Sequence, residues 1–372
     1  MKNSFLENLN QGVLGLKPYE PGLPLEHTQK KLGLEKMIKL ASNENPLGPS
    51  PKALDLLQGK MNSFSSELNR YPDGNAYELK EAISKKYNVD PSQITIGNGS
   101  NDLIEFVSRC FLGEEKKAIY SQHGFAIYPL AIKATGAIPV KSKAKNWGHD
   151  LELMSDLIDD KTKIIFIASP NNPTGTAKTL LEINDFLNNL KDDILVFLDQ
   201  AYYEYIEGSE FDIPFSLIDD HPNLVISRSF SKAHGLAALR LGFCVSSPEL
   251  SDYLNRVRQP FNANSLALDL GKVALSDQEH ISKSVKINSS GMERVKKAFA
   301  NLGYNFIESF GNFISFDAKQ DSDVAFQYFL EKGVILRSLK VYEMPHHLRV
   351  SIGTEKEMDF FLQVLELSLI HI

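Results

Sequence analysis

Three runs, KIIFIAS (163–169), ILVFLD (194–199) and LVISRSF (224–230), constrain the fold of this 372-residue chain more than any other feature. Each is short and almost continuously apolar, so as a strand it would present apolar side chains on both faces. Such strands are stable in a mostly parallel sheet with helices packed on either side. KAIYS (117–121) and AIPVK (137–141) extend the set, and ITIGNGS (94–100) reads as a strand that ends in a glycine turn. Between these runs AYELKEAISKKY (76–87) and NDLIEFVSRCF (101–111) carry helical spacing. The pattern predicts an α/β fold.

After about Phe261 the texture changes. A long helical region over 265–302 is expected, then strands such as NFISF and HLRVSI with two further helices, the mark of a smaller α+β domain. The first residues differ again: LKPYEPGLPLEH (16–27) puts three prolines and a glycine in one short stretch that cannot build a core alone. The expected organisation is an N-terminal arm over 1–45 that packs with the small domain and the site, a large domain over 46–260 and a small C-terminal domain over 261–372.

With 42% hydrophobic residues the chain can fill a sizeable core, and its formal net charge of -7 offers no basic field to attract nucleic acid. A small anion would need a local site instead. Cys110 and Cys244 both lie in apolar surroundings, so two free thiols in a reducing cytoplasm are expected rather than a disulfide framework. MKNSFLENLNQG has no apolar stretch after its lysine, and runs such as Ile164 to Ala168 fall far short of a membrane span. No membrane partner and no metal site are expected.

In parallel sheets ligands bind at the carboxyl ends of the strands. The polar punctuation of this chain gathers there: GNGSND after ITI, SPNNPTG after IIFIA, DQAYYEY after LVFL, SFSK after LVIS. Lys232, just past a strand, is placed to be desolvated, which lowers an amine's pKa and makes it a nucleophile towards carbonyls. Ser229 and Arg240 around it offer a hydroxyl and a guanidinium suited to a phosphate. Asp199 closes an apolar run, where a carboxylate is costly to bury unpaired; a protonated pyridine nitrogen would be its partner and makes the ring an electron sink. Tyr202 and Asn172 offer donors to a phenolic oxygen. Gly99, Ser100 and Asn101 fall at a helix start, where free N–H groups bind phosphate, although the turn lacks the ending of a Walker loop. Phe125 is suited to stack on a flat ring. Taken singly, each has an ordinary alternative: a solvated lysine, a cap, a turn, a core aromatic.

In this order and spacing the residues resemble the fold-type I aminotransferases that use pyridoxal phosphate (PLP), and within them the histidinol-phosphate aminotransferase family. PYEPG (18–22), LASNENPLG (40–48), RYPDG (70–74), SPNNPTG (169–175), DQAYYEY (199–205), SFSKAHGLAALRLGF (229–243) and GVILRS (333–338) carry the likeness, which runs on to LRVSIG (348–353). The resemblance implies a seven-stranded, mostly parallel sheet in the large domain, and PLP as cofactor. Lys232 would be the Schiff-base lysine and proton shuttle, Asp199 the partner of the pyridine nitrogen, and Asn172 and Tyr202 the ligands of the phenolic oxygen. Phe125 would stack on the ring; Gly99, Ser100, Asn101, Ser229 and Arg240 would form the phosphate cup. Tyr71 would reach that phosphate from the neighbouring subunit of a homodimer. Arg349 would clamp the carboxylate of glutamate or 2-oxoglutarate. Arg337 would lie beside the phosphate of L-histidinol phosphate, with Tyr19 and Asn43 near the substrate.

The implied reaction is transamination between L-histidinol phosphate and 2-oxoglutarate in histidine biosynthesis. Aromatic amino acid transamination and phosphothreonine decarboxylation on the same fold are the alternatives. A PLP-binding regulator of transcription does not suit an N-terminal segment that is short and rich in proline. The chain departs from the family pattern at Gln200, where DEAY has an acid, and at His234, where SKAF or SKAY is usual. Gln200 is expected to point away from the chemistry. GSND in place of GSDE leaves Asn101 uncharged, and SQHGF precedes the stacking ring.

Overall fold

The computed structural model describes residues 8–18 and 21–371. Its largest sheet has seven strands, in the order Ile94–Gly97, Gly242–Val245, Leu224–Ser229, Leu195–Asp199, Thr162–Ala168, Lys117–Ser121 and Ile138–Ser142. Gly242–Val245 runs antiparallel to both neighbours, and the other pairings are parallel. The apolar runs are explained by what lies on either side. Ile165, Ile167, Val196, Leu198 and Ile226 enter one apolar layer, while Ile164, Phe166, Leu195, Phe197 and Val225 enter the other. Successive residues therefore go to opposite layers, and each needs an apolar side chain. Every one of them is 3% exposed or less, a burial that contributes about 1.5–3 kcal/mol per side chain.

A second, antiparallel sheet takes the order Arg337–Ser338, His347–Ser351, Phe313–Asp317, Phe306–Ile307. Val295, Phe299, Phe316, Phe329, Val350 and Phe361 share the core between it and the helices Gln278–Leu302, Ser322–Glu331 and Glu355–His371. The helical region expected over 265–302 is two helices, Ser265–Ser276 and Gln278–Leu302. Asp277 breaks it: its backbone leaves the helical region and its carboxylate caps the second helix by accepting from the His280 N–H.

Residues 25–39 are more ordered than the prolines before them suggest. A helix over Leu25–Leu32 stops at Gly33, which takes a left-handed φ of 65°. Leu25, Leu32 and Leu34 pack on Leu330 and Ile335, and Ile38–Lys39 pairs in parallel with Val334–Ile335. The arm thus leads directly to the strand pair that carries Arg337 and Arg349. Among the described residues no helix is long and apolar enough to cross a membrane.

Candidate active site

The polar segments at the strand ends meet in one cavity. Ser100, Asn101, Phe125, Asn172, Asp199, Tyr202, Ser229, Lys232 and Arg240 line it from the large sheet, and Asn43, Arg337 and Arg349 from the arm and the second sheet. Tyr71 is not among the lining residues; it is 80% exposed and stacked on Phe261 with ring centroids 4.5 Å apart. Tyr19 lies outside the described residues.

Asp199 ends its strand on the cavity floor, 5% exposed. It accepts from Tyr128 Oη at 3.0 Å, from the Ala201 N–H at 3.1 Å and from Ser227 Oγ at 3.4 Å. Burial nevertheless pushes its carboxyl above the usual range, against the pull of those donors and of Lys232. Among the described residues no ion pair reaches it, and its oxygens face the cavity's lining.

Lys232 follows the neighbouring strand, and its Nζ donates to Ser42 O at 3.2 Å. Burial, with Arg349 and Arg240 near by, lowers its amine to about 8. The loop that carries it turns at Gly235, where the Lys232 carbonyl accepts the Gly235 N–H at 2.9 Å. Gly235 has a φ of 69°, and a Cβ there would stand 2.0 Å from Gly48 O. Gly235→Ala is therefore expected to destabilise the protein by roughly 2–5 kcal/mol, combining left-handed strain with a backbone collision. Denaturant unfolding of the variant checks this; an unchanged midpoint would contradict it.

The phosphate-sized end of the cavity is built from backbone. Gly99, with a φ of 78°, precedes the helix Ser100–Phe111, whose first N–H groups have no intrahelical acceptor. A Cβ at Gly99 would lie 2.4 Å from Arg240 Nη2, and one at Gly242 would lie 2.8 Å from Ser100 N. Glycine at both positions lets the guanidinium close over the helix start, with Ser229 on the adjoining strand end. An anion is what such a set of donors holds.

At the other end, Arg337 and Arg349 are directly opposed cross-strand partners. Arg349 is 4% exposed; its Nη2 donates to Ala41 O at 2.7 Å and its Nη1 to Asn172 Oδ1. Asn172 is thereby held with its oxygen towards the arginine and its amide nitrogen left for another acceptor.

Several cavity residues escaped the sequence reading. Tyr128, the donor to Asp199, lies three residues beyond Phe125, whose carbonyl accepts the Tyr128 N–H at the start of the helix Ile127–Ala134, and that spacing was a usable signal. Ser227, outside the lining but donating to Asp199, lies two residues before Ser229 on one face of its strand, another readable clue. Ser42, Ser231 and Tyr342 also line the cavity, with no local pattern to mark them. Two of the departures from the family pattern, Gln200 and His234, lie behind the floor. Gln200 is turned away from the cavity: its Nε2 donates to Ile213 O, and its Oε1 accepts from Arg228 Nε. His234 Nε2 stands 3.5 Å from the Glu204 carboxylate.

Residues 35–365 match the family described as aminotransferase class I and II. The chain belongs to that family. This aminotransferase is 46% identical over 355 residues to histidinol-phosphate aminotransferase 1 of Nitrosococcus oceani, covering 95% of each chain. It is also 46% identical over 371 residues to histidinol-phosphate aminotransferase 2 of Pseudomonas aeruginosa, covering 99% of this chain and 100% of the relative. Its fold superposes on the histidinol-phosphate aminotransferase of Sinorhizobium meliloti, solved with pyridoxal 5'-phosphate, with a TM-score of 0.87 at 23% identity and 95% of both chains covered. PLP is the cofactor of the family, and the cavity suits it. A buried carboxylate that no ion pair reaches among the described residues, an amine lowered to about 8, and a helix start backed by Arg240 suit its ring nitrogen, aldehyde and phosphate in turn.

Proposed function

We propose that this aminotransferase moves an amino group between L-histidinol phosphate and 2-oxoglutarate, yielding imidazole acetol-phosphate and L-glutamate for histidine biosynthesis. The observation that carries the substrate class is the opposed pair Arg337 and Arg349. Two arginines on opposed positions of neighbouring strands, both lining the cavity, suit a site that must take a phosphate ester in one half-reaction and a second carboxylate in the other. The names of the relatives support the same substrate.

Bound PLP supplies the electron sink that lets a Cα–H bond ionise. The rest falls to the chain. Lys232 anchors the cofactor and, once released, carries the proton to and from the substrate's Cα. Asp199 holds the proton on the ring nitrogen. Asn172 Nδ2 and Tyr202 Oη take the phenolic oxygen, and Phe125 covers a face of the ring. Gly99, Ser100, Asn101, Ser229 and Arg240 hold the phosphate. Tyr71 of a second copy completes that cup in a homodimer; its exposure and its apolar stacking on Phe261 suit a residue that meets a partner. Arg349 holds a carboxylate, Arg337 the substrate phosphate, and Asn43 and Tyr19 border the substrate. An arm over 1–45, a large domain over 46–260 and a small domain over 261–372 are the units that would close around it. The free thiols Cys110 and Cys244 accord with a reducing cytoplasm.

Arg337→Ala is expected to raise KM for histidinol phosphate roughly 10–100-fold, the worth of charge-assisted hydrogen bonds, and to leave the glutamate half-reaction within a few-fold. Stopped-flow half-reactions with histidinol phosphate, phenylalanine and phosphothreonine measure it. A large preference for phenylalanine, or CO₂ release from phosphothreonine, would overturn the assignment.

A further inference from the structure

A phenol both donates and accepts, so a tyrosine beside a cofactor oxygen is not committed to either role by its identity. Around Tyr202 the choice is removed. Asn43 Nδ2 donates to Tyr202 Oη at 2.9 Å. The amide stands that way because its other end is taken: Ser351 Oγ donates to Asn43 Oδ1 at 2.9 Å while accepting the Asn43 N–H at 2.8 Å. All three residues are 4% exposed or less. Asn43 has a φ of 54°, a left-handed conformation that asparagine tolerates better than most residues. Its carbonyl accepts from Asn312 Nδ2 at 3.0 Å, and the Ser351 N–H donates to Leu40 O at 2.8 Å. Residues 40–43 are thus tied to His347–Ser351, the strand on which Arg349 stands.

Having accepted from Asn43, Tyr202 Oη keeps a hydrogen that is not committed to any described residue, and the side chain lines the cavity. The charged groups around it are Arg349, Asp199 and Lys232, whose Nζ lies 5.5 Å from the ring centre. We propose that Ser351 and Asn43 form a hydrogen-bond relay that orients the Tyr202 hydroxyl, so that Tyr202 meets the cofactor's phenolic oxygen as a donor. This rests on the placement of Tyr202 at that oxygen given above. Ser351 and Asn43 are positioning residues in this scheme. One strand then sets both the carboxylate clamp, through Arg349, and the polarity at the phenolic oxygen, through Ser351.

The test is a pH titration of the visible absorption of the cofactor-loaded enzyme. A donor at the phenolic oxygen favours its negative form and holds the titration midpoint down, so losing the donor raises it. Asn43→Asp keeps the size and the left-handed tolerance but puts an acceptor where the amide donated, and the Tyr202 hydrogen turns to it. Tyr202→Phe and Asn43→Asp are each expected to raise the midpoint by about one pH unit. The double variant should match Tyr202→Phe alone, because the relay has no other route. Ser351→Ala should give a smaller rise in the same direction. A further rise in the double variant would mean that the new carboxylate acts by charge alone, and would overturn the relay. So would an unmoved midpoint in Asn43→Asp or Ser351→Ala beside a raised one in Tyr202→Phe. An unmoved midpoint in Tyr202→Phe itself would instead remove Tyr202 from the phenolic oxygen.

Discussion

Lys232→Ala is expected to lower kcat by about 10⁴-fold or more, because a general acid–base group alone contributes roughly 10²–10⁴ and the role proposed for this lysine also includes anchoring the cofactor. Its position explains why no neighbour substitutes for it. The amine lies against Ser42 O, between the segment 40–43 and the floor that carries Asp199. The nearest cations, Arg349 and Arg240, cannot act as bases. A second expectation concerns pH. Burial lowers the amine to about 8, so the neutral, nucleophilic form grows as pH rises through that value. Capture of PLP by the apoprotein should therefore speed up with pH with a midpoint near 8. Stopped-flow mixing of apoprotein with PLP reads both results: Lys232→Ala should give no covalent spectrum, and the parent a rate that climbs through this range. A midpoint above 10, the range of a solvated lysine, would show that the amine is not desolvated.

What the sequence disclosed here follows physical lines. Asp199 was legible because an acid at the end of five apolar residues has few harmless fates, and its burial with three donors is what that anomaly foretold. A mostly parallel sheet was legible for a related reason, its seven strands only from the resemblance: residues such as Ile164 and Ile165 must enter opposite layers, and a two-sided apolar run leaves little else. Contacts across long sequence separations left no local mark. Ser351 and Asn43 are 308 residues apart, and neither their spacing nor their type announces that one fixes the other's amide. Gly235 reads as a turn former, whereas its real constraint is the Gly48 carbonyl lying where a Cβ would be. Asp277 has a similar lesson. In a helical stretch it looks like an exposed acid, and it breaks the helix because its side chain caps the next one.

Asp199→Asn should separate the carboxylate's role in catalysis from its burden on the empty fold. In its proposed role the charge pairs with the ring nitrogen of the loaded enzyme, and losing one partner of a buried pair costs about 3–5 kcal/mol, so turnover should fall roughly 10²–10⁴-fold. The substitution is close to isosteric and its hydrogen bonds can be kept. The side-chain oxygen retains Ala201 N–H and Ser227 Oγ, the amide faces Tyr128, and the phenol turns to accept. In the apoprotein the same change should be neutral or stabilising, because it removes a buried charge that lacks a cation. The sign with pH follows from burial raising this carboxyl. An acid whose folded pKa is raised adds stability that is full below its unfolded value, near about 3.9, and is lost as pH rises through the folded value. Apoprotein of the parent should therefore lose this contribution as pH rises above about 3.9, and Asp199→Asn should flatten that part of the profile. Thermal melting of both apoproteins across that window, with turnover of both loaded enzymes, gives the comparison. A variant that lost activity and was equally destabilised without cofactor would place Asp199 in the fold rather than opposite the ring nitrogen.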